Sequence, residues 1–179
     1  MYISELKNSK PIDAPENVLY VFELLDRLKI SYEYVENDVV NNMDESSEVA
    51  KALGCEIRKS VFLTNQKKTT FYLLIMPADK RFDTKEFRDA LGISRPSFAS
   101  HELMEEKIGV RPGTASLFCL TMDKDKEVEL ILDMEILNDE YFGVNPSDNR
   151  YHLKLRTEDV IKKIIPELGY SAEFVSLKG

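Results

Sequence analysis

The sequence predicts a single α+β domain in which strands and helices are mixed along the chain. Three observations lead there. Segments with apolar residues at helical spacing alternate with short runs rich in β-branched and aromatic residues. Four of those runs come in pairs across short polar turns, as hairpins do. The chain has 179 residues, 43% hydrophobic and 31% charged, which suits one globular domain with its own core.

The elements follow in order. Asp13 and Glu16 have capping-box spacing, with Pro15 in the first turn. Val18, Val21, Phe22, Leu25 and Leu28 then recur at helical spacing, so a first helix is expected over about 14–28. Residues 31–36 (SYEYVE) read as a strand, and Asp44 to Leu53 as a helix closed by Gly54. Residues 58–64 and 70–76 read as a central hairpin around the turn NQKKT. The second of these is apolar on both faces, as a buried strand should be. Asp83 and Glu86 repeat the capping spacing for a helix carrying Phe87, Ala90 and Leu91, which Gly92 stops. Ser100 caps a short helix to about Lys107. Residues 114–120 and 127–133 read as a second strand pair around the acidic turn MDKDK, and 151–155 as a further strand. Thr157 caps a last helix with Val160, Ile161, Ile164 and Ile165 inward, ended by Pro166. Residues 1–12 read as an N-terminal extension, 13–166 as the domain and 167–179 as a C-terminal tail.

Composition excludes several classes. No apolar run is long enough to span a bilayer, the longest being Phe71 to Met76. The first ten residues lack the apolar segment of a signal peptide. Two cysteines, Cys55 and Cys119, without motif spacing, exclude a disulfide framework and fit a reducing, cytoplasmic location. The net charge of −8 argues against broad, non-specific nucleic-acid binding. The charge is uneven, however. Residues 57–95 hold nine bases against four acids, whereas 35–56 and 123–140 are acidic. That pattern fits either a solvated surface or a local site for an anionic ligand.

No Walker A loop, G-x-G-x-x-G or G-x-S-x-G elbow is present. His101 and His152 are far apart in sequence and not paired with cysteine, so neither metal nor cofactor is expected. His101, in a first helical turn, is expected at the surface. His152 is out of phase with Leu153 and Leu155 and is expected to face away from the core. Lys59 shares a strand face with Val61 and Leu63, which places it at the rim of the core. There it either snorkels to water or meets a phosphate, carboxylate or ester oxygen. Two loops, Gly109 to Ser116 and Phe142 to Asn149, are either ordinary connectors or sources of backbone N–H groups for an oxyanion.

The order of these pieces resembles one family. VFELLDRLKISYEYVE, the block RKSVFLT through PADKRFDTKEFRDALG, FASHELMEEKIGVRPGTASLF, ELILDMEIL and FGVNPSDNRYHLKLRTEDVIKKI together resemble the YbaK/ProX family of aminoacyl-tRNA editing domains. The resemblance is strongest to its free-standing ProX branch, related to the editing insertion of bacterial prolyl-tRNA synthetases. It implies a mixed, strongly curved central sheet surrounded by helices. It also implies hydrolysis of the ester of a mischarged tRNA, alanyl-tRNA for proline above all. The implied partners are the tRNA acceptor end and prolyl-tRNA synthetase, with no membrane and no metal. Lys59 matches the family's functional lysine and is the implied catalytic residue. The implied substrate-binding set is Ser60, Gly113, Thr114, Ala115, Ser116, Gly143, Asn145, Pro146 and Asn149. The chain departs from the pattern at Ser60, where the family commonly has Asn, and at Asn145, where it commonly has His. These departures leave two alternatives open: a non-catalytic aminoacyl-tRNA or amino-acid binding regulator, and a deacylase of altered specificity for cysteinyl or seryl groups.

Overall fold

Two sheets meet along one strand edge, and the meeting line organises the molecule. The computed structural model describes residues 1–179. A three-stranded antiparallel sheet has β1 (Glu33–Glu36), β7 (Tyr151–Arg156) and β6 (Tyr141–Val144), in that order. A five-stranded mixed sheet runs β4 (Ser97–Phe98), β2 (Lys59–Thr64), β3 (Phe71–Met76), β5 (Val128–Asp133), β8 (Glu173–Val175). The five-stranded sheet is the mixed central sheet expected of an α+β domain, but it is not strongly curved, and the remaining strands form the second sheet.

The β2–β3 hairpin sits at the centre as expected, with Lys59 opposite Met76 and Thr64 opposite Phe71. β3 pairs in parallel with β5, and β5 in parallel with β8. Parallel neighbours need long crossovers. The first crossover carries α3 (Thr84–Leu91), β4 and α4 (His101–Ile108). The expected antiparallel pair of 114–120 with 127–133 does not exist. Leu117–Met122 winds instead as a 3₁₀ helix, with Cys119 N–H bonding Ser116 O at 3.0 Å. Its Leu117, Phe118, Cys119 and Leu120 are all buried. A short apolar run buried on every side carries no period that separates strand from helix.

α1 (Glu16–Arg27) is buried along Val18, Val21, Phe22 and Leu25. Its start is Pro15, without a side-chain cap, so Asp13 does not close the expected capping box. α2 (Met43–Leu53) starts on the Asn42 side chain and ends at Gly54 in the left-handed region. Asp83 and Ser100 cap α3 and α4 as expected. The last helix begins at Thr157, whose hydroxyl is buried without a partner rather than capping. It continues through a π turn, Val160–Ile164, and past Pro166 to Leu168, ending at Gly169. The wide turn just before Pro166 relieves the missing N–H that ends an ordinary helix.

The main core lies between α1, α4, the 3₁₀ segment, the last helix and one face of each sheet; Phe22, Phe62, Phe71, Phe118, Phe142 and Leu155 belong to it. A smaller cluster of Val61, Leu63, Tyr72, Leu74 and Phe87 covers the other face of the large sheet under α3, joined by Val175 and Leu177. α2 closes the outer face of the small sheet through Val35, Val49 and Leu53. The chain ends are tied in. Ile3 and Lys7 bridge to Asn37 and Tyr34, and the C-terminal segment supplies β8.

Candidate functional site

β2 has a partner on only part of one edge. β4 reaches Leu63 and Thr64, and Ala99 N–H bonds the Phe62 carbonyl at 3.1 Å. At the strand's start, Arg58 N–H bonds Gly143 O at 2.9 Å, and Gly143 N–H bonds Glu56 O at 3.1 Å. This bridge between Ile57 and Gly143 joins the two sheets. Between it and β4 the edge of β2 is open. Strand groups alternate in direction, so the N–H and C=O of Ser60 point to this same open edge. Gly143 is required here: a Cβ on it would lie 2.5 Å from the Glu56 carbonyl oxygen.

The open edge forms the wall of a cavity of about 450 Å³. Of the site residues expected from sequence, Lys59, Ser60, Gly113, Ala115, Asn145 and Asn149 line it. Thr114, Ser116, Gly143 and Pro146 do not line it. Ser116 and Gly143 stand behind it as joints. Ser116 Oγ donates to Asn145 O at 2.8 Å, so the two glycine-containing loops are one unit. Asn145 Oδ1 accepts from Ser147 N–H at 3.0 Å and folds its own loop as an Asx turn. Gly113 has φ +91°, the left-handed conformation that glycine takes without cost.

Lys59 Nζ donates to the Lys80 carbonyl. Burial lowers the Lys59 pKa, against the opposing charge of Asp79. Lys80 is held in turn: its ammonium bonds Asp133 Oδ2 and Leu177 O, each at 2.7 Å. An ammonium has three hydrogens, so the bond to Lys80 leaves Lys59 two for a ligand.

The structure adds residues that sequence reasoning missed. Arg58, next to Lys59, lines the cavity with its side chain buried and its Nη2 on Asp139 at 2.7 Å. The basic stretch of the sequence therefore places two cations at the cavity wall, and no Asp or Glu lines it. Exposed Phe98 and His101 are at the wall also, with Phe98 edge-on to Phe82. His152 is the main correction. It does face away from Leu153 and Leu155, but α2 covers that side, and the ring is only 3% exposed. It too lines the cavity, with Nδ1 2.9 Å from Asn37 Oδ1. Burial holds its pKa down at about 4, against the charge of Asp148. No local pattern carries this signal, because it arises from the pairing of Val35 with His152. Burial also raises both thiols, Cys55 to about 11, so neither is a thiolate at neutral pH.

A cation-lined, half-apolar cleft thus lies at the junction of the two sheets, and the family of this chain is that of the aminoacyl-tRNA editing domains. The model of that family matches residues 40–163, and the chain belongs to it. Within it, the chain is 29% identical over 157 residues to the prolyl-tRNA editing protein ProX of Acetoanaerobium sticklandii, covering 88% of this chain and 95% of that one. It is 25% identical over 142 residues to prolyl-tRNA synthetase associated domain-containing protein 1 of Danio rerio, covering 78% and 77%. Among solved structures, a candidate trans-editing enzyme for prolyl tRNA synthetase superposes with TM-score 0.68 at 16% identity, over 93% of this chain and all of the other. No helix is long and apolar enough to cross a membrane.

Proposed function

We propose that the protein is a trans-editing deacylase that hydrolyses the ester of mischarged tRNA, with alanyl-tRNA for proline as its substrate. The observation that carries this reading is the position of Lys59: a partly desolvated cation with two free hydrogens, at an open strand edge, in a cavity without a carboxylate. Such a site attracts ester and phosphate oxygens and repels no anion of its own. The family membership and the 29% identity to a prolyl-tRNA editing protein support the same assignment.

In this reading the terminal nucleotide of the acceptor end lies at the cavity mouth, where exposed Phe98 offers a stacking face. Lys59 neutralises the terminal phosphate or the ester oxygen. The Ser60 N–H at the open edge and the Gly113 loop face the ester carbonyl, where negative charge develops in the tetrahedral intermediate. Water is the nucleophile, helped by the ribose hydroxyl of the substrate. Electrons pass from water to the carbonyl carbon, and the ester C–O bond then breaks with return of a proton to the ribose oxygen. Cys55 and Cys119 take no part, since both are protonated.

The specificity argument is one of size. A methylene is worth only about 1–3 kcal/mol of discrimination in an apolar pocket. A synthetase site that fits proline therefore admits alanine, and a second pocket that accepts only small side chains corrects it. The apolar share of this wall comes from Val40, Ile57, Val61, Ala78, Ala99 and Met104 among others.

The test is deacylation of radiolabelled alanyl-tRNA for proline by wild type and Lys59→Ala, beside cysteinyl and seryl esters. Hydrolysis of the alanyl ester by wild type and its collapse in the variant are expected. Saturable binding without turnover on any ester would replace the enzyme reading with a binding module. Turnover of cysteinyl or seryl esters alone would move the specificity.

A further inference from the structure

We propose that His152 Nε2 is the acceptor that binds the α-amino group of the aminoacyl ester, so that the cavity selects free aminoacyl groups over N-acylated ones. This rests on the aminoacyl reading of the cavity given above. Asn37 fixes the ring. Its Nδ2 donates to the carbonyls of Asp38 and Asn149, each at 2.8 Å, which uses both amide hydrogens. Its Oδ1 can then only accept, and it faces His152 Nδ1 at 2.9 Å. The hydrogen of the neutral ring is therefore on Nδ1, and Nε2 holds a lone pair. Nε2 has no hydrogen-bond partner in the protein, while the residue lines the cavity.

The surroundings keep the ring neutral. Burial penalises the charged ring, and the one acid that acts on it, Asp148, is tied to Arg150 at 2.6 Å. The substrate brings one strong donor into this space, its amine. No carboxylate is there to receive it. Asn145 Oδ1 already accepts from Ser147 N–H, and Ser116 does not line the cavity. Among the side chains, His152 Nε2 and Asn149 Oδ1 are acceptors of fixed direction, since Asn149 Nδ2 is bound to Val40 O, and the Ser60 carbonyl at the open edge is a backbone acceptor beside them. An ammonium has hydrogens for all of these. A general-base role for His152 is the weaker choice, because a group so poorly basic at neutral pH gains little from taking a proton off water. Acylation of the amine removes hydrogens and adds bulk against a buried ring, so N-acylated esters are excluded.

The experiment is nitrogen NMR of the imidazole in the full chain, with two non-hydrolysable probes. One is 3′-deoxy-3′-alanylamino-adenosine, and the other is its propionyl counterpart, which lacks only the amine. In the free protein at pH 7, Nδ1 is expected protonated and Nε2 bare. The alanyl probe is expected to move the Nε2 signal and the propionyl probe to leave it in place. His152→Ala is expected to weaken the alanyl probe about tenfold or more and the propionyl probe not at all. The wild-type spectra decide the matter even where that variant fails to fold. A protonated Nε2 in the free protein overturns the assignment. So does an unmoved Nε2 while Lys59 responds to the alanyl probe, or an equal loss for both probes in the variant. Failure of both probes to perturb any cavity residue overturns the aminoacyl reading itself, and this assignment with it.

Discussion

Ser116 Oγ donates to the carbonyl of Asn145 at 2.8 Å, across 29 positions of sequence. Both residues are buried, at 3% and 7% exposure. The bond makes one wall out of two loops. Gly113 and Ala115 reach the cavity from one side, and Asn145 and Asn149 from the other. Asn145 therefore serves by its backbone and by the turn it closes on Ser147. A histidine is not needed at that position to hold the loop.

Ser116→Ala is expected to leave the Asn145 carbonyl buried without its partner. An orphaned buried acceptor costs about 1–3 kcal/mol. Urea denaturation should show that loss with an unchanged m-value, since no surface is newly exposed in the native state. In the deacylation assay KM should rise and kcat should fall together, because the wall includes the Gly113 loop that faces the ester carbonyl in the proposed reading. A stability equal to wild type would show that the loops are held by other contacts.

Gly143→Ala tests the junction of the sheets. The new methyl would meet the backbone of Glu56 and Ile57, which no rotamer change can move aside. Overpacking of this kind costs about 1–3 kcal/mol. The bridge must widen, so the Arg58 N–H and the start of β2, where Lys59 stands, shift with it. Thermal unfolding should show the loss, and activity should fall further than the Ser116 variant. A variant as stable and active as wild type would mean that the junction has slack the close approach does not suggest.

Local signals made much of this fold legible. The caps on Asp83 and Ser100, the stop at Gly54 and the β2–β3 hairpin were all readable, because each depends on residues within a few positions. Long-range pairing was not. β6 contains Gly143 and looks like a loop, yet it is a strand because β7 and Ile57 flank it. The run 114–120 reads as a strand until the surrounding helices and sheets bury it on every side. In the site, the lysine and the two loops were legible as candidates, and the tertiary fold decides which of their residues reach the cavity. The burial of His152 was not legible for a similar reason: alternation tells which face a side chain takes, not whether a helix covers that face.

Lys80 and Asp133 form an ion pair at 2.7 Å, with both side chains largely buried. Lys80→Met leaves the Asp133 carboxylate buried without its cation. Breaking such a pair on one side costs about 3–5 kcal/mol. Adding Asp133→Asn should recover part of that loss, which denaturation of the single and double variants measures. Lys59 is bonded to the carbonyl of Lys80, not to its side chain. Assayed well below its melting point, Lys80→Met should therefore retain more deacylase activity than Lys59→Ala. The opposite order would mean that the ion pair, and not Lys59, sets the site.

His152 makes stability depend on pH in a defined window. Its pKa is about 4 in the folded protein and near 6.5 in the unfolded chain, because the buried ring resists protonation. Between those values the unfolded state binds a proton that the folded state refuses. Stability from this group is fully present above pH 6.5 and is lost as pH falls toward 4. The loss amounts to about 2 kcal/mol by pH 5, and on the order of 3 kcal/mol once both states are protonated. Carboxylates such as Asp148, held below their ordinary range, add their own losses lower on the scale. His152→Gln separates the two. It should be less stable than wild type at pH 7, since the bond to Asn37 is altered, but flatter between pH 7 and 5. Urea denaturation of both proteins at those two pH values measures the difference. Equal slopes for variant and wild type would mean that the ring gains a proton without unfolding, and that the α2 side of the cavity is open enough to hydrate it.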